Sequence, residues 1–154
     1  MKKTNGRCIS STFRLLSLLF ILLLSAQTVC AQSADSTAFK GYLLNKEYNV
    51  YLRINFYDRN IIVSGQEVFG ELPGYIAKEG SSYCWMVTDV TIDGNKAEME
   101  MVNDFGSEDL TATLTQENDS TYTLKHRSGA TIKLPNNGKW QKLPSTMTFK
   151  KVRR

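Results

Sequence analysis

Histidine and cysteine are nearly absent from this chain: one histidine and three cysteines in 154 residues. Two of those cysteines, Cys8 and Cys30, lie in the first thirty positions, inside a stretch with the features of a removable leader. What is left is Cys84, which cannot form an internal disulfide. Cys84 and His126 are also too few for most site chemistry. A thiol hydrolase needs the two side by side, with a third group orienting the imidazole. A closed tetrahedral zinc site needs four donors. The expectation is therefore no catalytic residue, no metal and no cofactor. Charge of one sign is missing as well. Of nineteen Lys and Arg, four (Lys2, Lys3, Arg7, Arg14) precede residue 32, whereas all fifteen Asp and Glu follow it, so the remainder is balanced. The basic isoelectric point belongs mainly to the leader, so it supports no nucleic-acid reading and no nucleic-acid partner is expected. The closing Lys150-Lys151-Val152-Arg153-Arg154 reads as a solvated end.

The chain has one long apolar run. Basic residues without an acid lead into Leu15 to Ala26 (LLSLLFILLLSA). That is the n-region and h-region of a secretory signal, too short to cross a bilayer as a helix. Cleavage is expected after Ala31, in Val29-Cys30-Ala31, giving a chain that starts at Gln32. The rival is lipoprotein anchoring through Cys30, which calls for a small residue where Val29 stands. The predicted division is a signal peptide over 1–31, a polar tail over 32–37 and one domain over 38–154. The protein is expected to be periplasmic or extracellular, without stable membrane insertion. A domain of that length can rest on a single core without disulfides.

Strand signals fill the rest. Tyr48, Val50, Leu52, Ile54 and Phe56 alternate with Asn49, Tyr51, Arg53 and Asn55. The same period of two recurs at Ala97-Met99-Met101, Leu110-Ala112-Leu114, Tyr122-Leu124 and Ala130-Ile132-Leu134. One buried and one wet face is the mark of an antiparallel sheet. Turn formers separate the runs: Asp58-Arg59-Asn60, Asp93-Gly94-Asn95, Asn118-Asp119 and Ser128-Gly129. About nine strands are predicted, near 38–44, 48–57, 60–63, 82–92, 96–102, 110–116, 120–126, 130–134 and 146–152. Ser82 to Ile92 is apolar on both sides, as expected of a central strand or one that meets a partner. Sequence neighbours should pair, and closing the meander removes its exposed edges. The fold expected is all-β, a single antiparallel meander closing into a small up-and-down barrel, with a two-sheet β-sandwich as the alternative. Phe56, Leu52, Met99, Met101, Tyr122, Leu124 and Phe149 are the inward candidates. Their bulk argues for recognition at the surface over an interior cavity.

This architecture resembles the lipocalin-like small barrels, with Gly41-Tyr42-Leu43 standing where lipocalins usually carry Gly-x-Trp. A leader ending in Ala-Gln before a disulfide-free barrel is similar to small secreted proteins of Bacteroides-type bacteria. The second resemblance implies an exported address rather than an activity.

Three stretches bear on what would be bound. Residues 65–75 (GQEVFGELPGY) break the strand-and-turn spacing, and Val68, Phe69, Leu72 and Tyr75 make an aromatic and apolar centre with a polar rim. The alternative for Phe69 and Leu72 is that they cap one end of the barrel. Ser128-Gly129-Ala130 with Trp140-Gln141-Lys142 resembles the paired motifs of secreted inhibitors of c-type lysozyme. That resemblance implies Ser128 and Lys142 as contacts to a partner enzyme; otherwise the segment is a hairpin turn with Trp140 packed under the loop 135–143. Asn103 to Asp109 gathers side-chain oxygens around a glycine, a set that calcium accepts and that Asx-turn chemistry also explains. The functional expectation is an exported, non-enzymatic binding protein acting through barrel-end loops or a small interior cavity. Its partner would be an unknown protein or a small apolar ligand. The alternative is a secreted inhibitor or immunity-type protein that blocks an enzyme such as a lysozyme.

Overall fold

The computed structural model describes residues 37–153. The expected leader, its expected cleavage site and most of the expected polar tail lie outside the described residues. Twelve strands form: β1 (Lys40–Asn45), β2 (Val50–Asn55), β3 (Ile61–Ile62), β4 (Glu71–Leu72), β5 (Gly74–Lys78), β6 (Cys84–Asp93), β7 (Lys96–Asn103), β8 (Asp109–Asn118), β9 (Thr121–Gly129), β10 (Lys133–Asn136), β11 (Lys139–Lys142) and β12 (Thr146–Val152). Eight of them close a barrel in the order β1-β2-β5-β6-β7-β8-β9-β12 and back to β1. Closure is made by Tyr42 opposite Val152 through Leu44 opposite Lys150. The sandwich alternative is thereby excluded.

The meander is antiparallel, but it has two detours. β3 pairs with β4 and β10 pairs with β11, so β2 meets β5 and β9 meets β12 across these excursions. This corrects the expectation that 60–63 would pair with 48–57. The cause is the turn after β2. The buried Asn55 amide donates to Asp58 Oδ2 (3.0 Å) and Asn60 Oδ1 (2.8 Å), and Arg59 takes a φ of 51°. Arg59 then reaches across to Asp89 (2.9 Å) and the Val90 carbonyl (2.6 Å) on β6. A tight hairpin back onto β2 would undo these bonds.

The segment read as irregular also hides a barrel strand, β5. Gly74 begins it because a Cβ there would stand 2.5 Å from the Arg53 carbonyl oxygen. The glycine permits a close approach of two strands, although in sequence it looks like loop punctuation. The predicted strand 130–134 is shifted: β9 runs on to Gly129 and the next strand starts only at Lys133.

All seven inward candidates, Phe56, Leu52, Met99, Met101, Tyr122, Leu124 and Phe149, are buried in one interior cluster. Trp85, Phe39, Leu43 and Ile76 fill it further. At the end where β2 finishes, Phe39 stacks on Phe56 (5.8 Å) and meets the edge of Tyr122 (6.2 Å), whose hydroxyl donates to the Ala38 carbonyl at 2.5 Å. At the other end Ile132, Leu134 and Leu143, flanking the β10–β11 hairpin, join the same cluster as its stopper. Phe69 and Leu72 cap neither end.

A second, smaller cluster lies outside the barrel. Ile61, Val63 and Leu72 from the β3–β4 arm cover Ala77, Cys84 and Met86, with Tyr51, Tyr75 and Val102 around them. This accounts for the strand that is apolar on both sides. Trp85 and Val87 face the interior, whereas Cys84 and Met86 face the chain's own arm. Tyr42, Tyr51 and Tyr75 continue the outer surface as a ring ladder across three strands, with centroids 5.0 and 5.8 Å apart.

Candidate functional site

Strand direction puts the loops 79–83 and 104–108 and the β10–β11 hairpin at one barrel end. Three aromatic side chains from these separate segments meet there. Tyr83 stands between Phe105, 5.7 Å away at an interplanar angle of 49°, and Trp140, 5.2 Å away at 72°. Phe105 is 65% and Trp140 56% exposed, against 0–3% for the buried aromatic side chains of the barrel interior. The rings wall a hollow of about 320 Å³ that Cys84, Trp85 and Asn103 also border and to which Asp104, Glu108 and Lys133 add polar groups.

Local chemistry holds the walls in place. The buried Asn103 side chain accepts from the backbone N–H of Ser107 (2.9 Å) and Glu108 (3.3 Å) and donates to Ser107 Oγ (3.2 Å). Gly106 turns the chain with φ of 68°. Its neighbour Phe105 is thereby pushed outward onto Tyr83. The backbone of Asp104 is tied to the Cys84 carbonyl at 3.1 Å. The oxygen-rich stretch 103–109 is thus an Asx-type turn in its bonding, and no group of three or more His, Cys, Asp or Glu that could hold a metal ion occurs among the described residues. On the opposite wall, Trp85 Nε1 donates to the Lys133 carbonyl (3.2 Å), and Lys78 Nζ donates to Gln141 Oε1 (3.3 Å). These bonds pin the hairpin that carries Trp140. Trp140 is therefore not packed under the loop 135–143, as expected from sequence. It stands on the outer face of β11, and the buried side chains beneath are Leu134 and Leu143.

Charge in the hollow is uneven. Lys133 Nζ and Glu108 Oε1 form an ion pair at 2.9 Å. The Asp104 carboxyl has only its own backbone N–H as partner among the described residues, and desolvation holds its pKa above the ordinary 3.8 despite that bond. Cys84 behind it is buried; desolvation, with Asp104 nearby, pushes its thiol up to about 11. His126 lies on β9, separated from β6 by the two strands β7 and β8, with Nε2 3.0 Å from the Ala130 carbonyl oxygen.

The residues singled out from sequence are dispersed. Val68, 90% exposed, and Phe69, 40% exposed, occupy the single turn at the tip of the β3–β4 arm. Leu72 is buried on the inner side of that arm, and Tyr75 is half-buried on β5 against Tyr51. Ser128 is exposed on β9 with its hydroxyl 2.8 Å from Thr111 Oγ1. Lys142 is exposed at the end of β11, and no hydrogen bond or ion pair joins it to Ser128 among the described residues. Gly129 has a structural reason of its own: φ is 86° and a Cβ would lie 2.5 Å from the Asp109 carbonyl oxygen. Comparison of the chain with protein-family models, with curated proteins and with solved structures finds no match.

Proposed function

We propose that this is an exported, non-enzymatic binding protein whose recognition surface is the aromatic end of the barrel. The observation that carries the reading is the hollow between Tyr83, Phe105 and Trp140. Phe105 and Trp140, held in the open by bonded loops, forgo part of the roughly 1.5–3 kcal/mol each that full burial would give, and an aromatic hollow with a few convergent polar groups is the usual composition of a ligand site. An interior ligand is less well supported, because the barrel core is occupied by its own tryptophan, tyrosine, phenylalanine and methionine side chains. The absence of catalysis is supported by chemistry: Cys84 is buried and protonated at neutral pH, and His126 lies on a distant strand. Against insertion in a membrane, the barrel's apolar side is inward, and its outer face carries exposed Glu98, Glu100, Lys125 and Arg127. A lipid-facing barrel requires the reverse.

The exposed Val68 at the tip of the arm favours a second surface, which suits docking against another protein. In the inhibitor reading, that tip or Lys142 on the hairpin would meet the target enzyme. The discriminating experiment is affinity capture from the envelope fraction of the source cell, with proteins and small molecules in the retained material both identified. Phe105→Ala with Trp140→Ala should leave the melting temperature within a few degrees and lose the retained material. Capture unchanged by this pair, and lost with Phe69→Ala, would move the function to the arm.

A further inference from the structure

We infer that the hollow between Tyr83, Phe105 and Trp140 takes an organic ammonium group, free or on a flexible side chain, with Asp104 as its counter-ion. This rests on the reading of the hollow as the recognition surface and adds the chemical class of the ligand.

Ring orientation is the first argument. A flat ligand is best met by coplanar rings lying side by side as a platform. Here Trp140 and Phe105 are inclined to Tyr83 by 72° and 49°, so the rings form adjoining walls of a cup. Rings inclined in this way border a compact hollow, and a cation seated within about 6 Å of a ring centroid gains cation–π attraction. Charge is the second argument. Lys133 is already paired with Glu108, which leaves Asp104 as the carboxylate of the hollow without a cationic partner among the described residues. An ammonium entering the cup regains for Asp104 the charge interaction that partial burial denies it. A neutral apolar guest would bury Asp104 further without compensation, and an anionic guest would repel it. The third argument is rigidity. The cup is closed by bonds from Asn103, Trp85 and Lys78, so its walls are in place before a ligand arrives and little ordering cost is added on binding.

The test uses choline as the probe, 3,3-dimethylbutanol as its uncharged isostere and a neutral oligosaccharide such as cellotriose. Binding is read from the indole N–H resonance of Trp140, which Trp140→Phe identifies against that of the buried Trp85. Choline should shift this resonance saturably, and the isostere should bind at least tenfold more weakly. Asp104→Asn should weaken choline about tenfold and leave the isostere bound at least as well as before, since removing the charge also removes the cost of burying it under a neutral guest. Equal affinity for choline and the isostere, preference for the oligosaccharide, or choline binding indifferent to Asp104→Asn would each overturn the ammonium assignment while leaving the hollow as the site. Shifts confined to residues away from Tyr83, Phe105 and Trp140, or no response to choline, would also overturn it, and the first of these would remove the hollow as the site as well.

Discussion

Leu72→Ala tests whether the β3–β4 arm is a separate cover on the barrel. Leu72 is 6% exposed and packs in the outer cluster with Ile61, Val63, Cys84 and Met86, apart from the barrel interior. Truncating a buried leucine costs about 2–5 kcal/mol. The lower part of that range applies here, about 2–3 kcal/mol, because the cluster is small and a shallow surface relaxes more easily than a closed core. If the arm opens on its own, this cost is a loss of arm closure. At about 1.4 kcal/mol per factor of ten, the open population then rises roughly 30- to 140-fold. Cys84, buried beneath the arm, reports that opening. With an aromatic disulfide reagent at pH 8 and closing faster than reaction, the modification rate follows the open population. The control is Leu114→Ala inside the barrel, where the residue is fully buried. It should lower the denaturation midpoint at least as much and leave the Cys84 rate close to that of the parent. A Leu72→Ala rate within about threefold of the parent, or an equal rise in Leu114→Ala, would refute the reasoning and make arm and barrel one cooperative unit.

Four other outcomes follow. Asp104 has a folded-state pKa raised above 3.8 by desolvation, so its ionisation opposes folding: stability is lost as pH rises from about 3.8 through the raised value, and the penalty is fully present above that value. Asp104→Asn should therefore raise the melting temperature at pH 7, with the gain shrinking toward pH 3.8; a gain independent of pH would deny the cause. Phe69→Ala, at an exposed tip, should change stability by less than about 0.5 kcal/mol, whereas Phe149→Ala in the interior should cost about 3–5 kcal/mol in denaturant unfolding. Cys84→Ser places a hydroxyl in an apolar setting and should cost about 1–3 kcal/mol, with choline binding at Trp140 retained. The proposed export predicts an intact mass equal to residues 32–154; a diacylglyceryl mass on Cys30 would place the protein on a membrane.

Much of the fold was legible because alternation is a local property. Met99 and Met101, with Glu98 and Glu100 between them, state which face of β7 is buried without help from any other strand. Asp93-Gly94-Asn95 states its turn in the same way, and Gly94 takes the positive φ of 56° that the pair implies. β5 was missed because Gly74 is spaced as loop punctuation, while its real reason, the Arg53 backbone against it, is an interaction between strands. The pairing of β2 with β5 was missed for a related cause. Asn55 and Arg59 look like ordinary turn residues until their partners Asp58, Asn60, Asp89 and Val90 are known.

The aromatic hollow was harder to read, because each of its members has a sufficient local explanation. Tyr83 precedes an apolar strand and looks like its first residue. Phe105 sits in a run of oxygen-bearing residues, where attention goes to the carboxylates. Trp140 stands between two prolines in a closing segment and looks like filler beneath it. Only the barrel's closure, which brings the β5–β6 loop, the β7–β8 loop and the β10–β11 hairpin to one end, turns three isolated rings into one surface. A linear signal did exist in combination. Asn103 and Gly106 bracket Phe105, and an Asx turn closed by a glycine is short enough that the residue within it cannot fold back into the barrel. Pro135-Asn136-Asn137-Gly138 likewise marks a tight hairpin, so Trp140 belongs to a two-stranded ribbon, one face of which must be outside. Neither point fixes a site alone. Each predicts an aromatic residue held away from the core by its own turn, and two such residues on loops of the same barrel end are where a binding surface should first be sought.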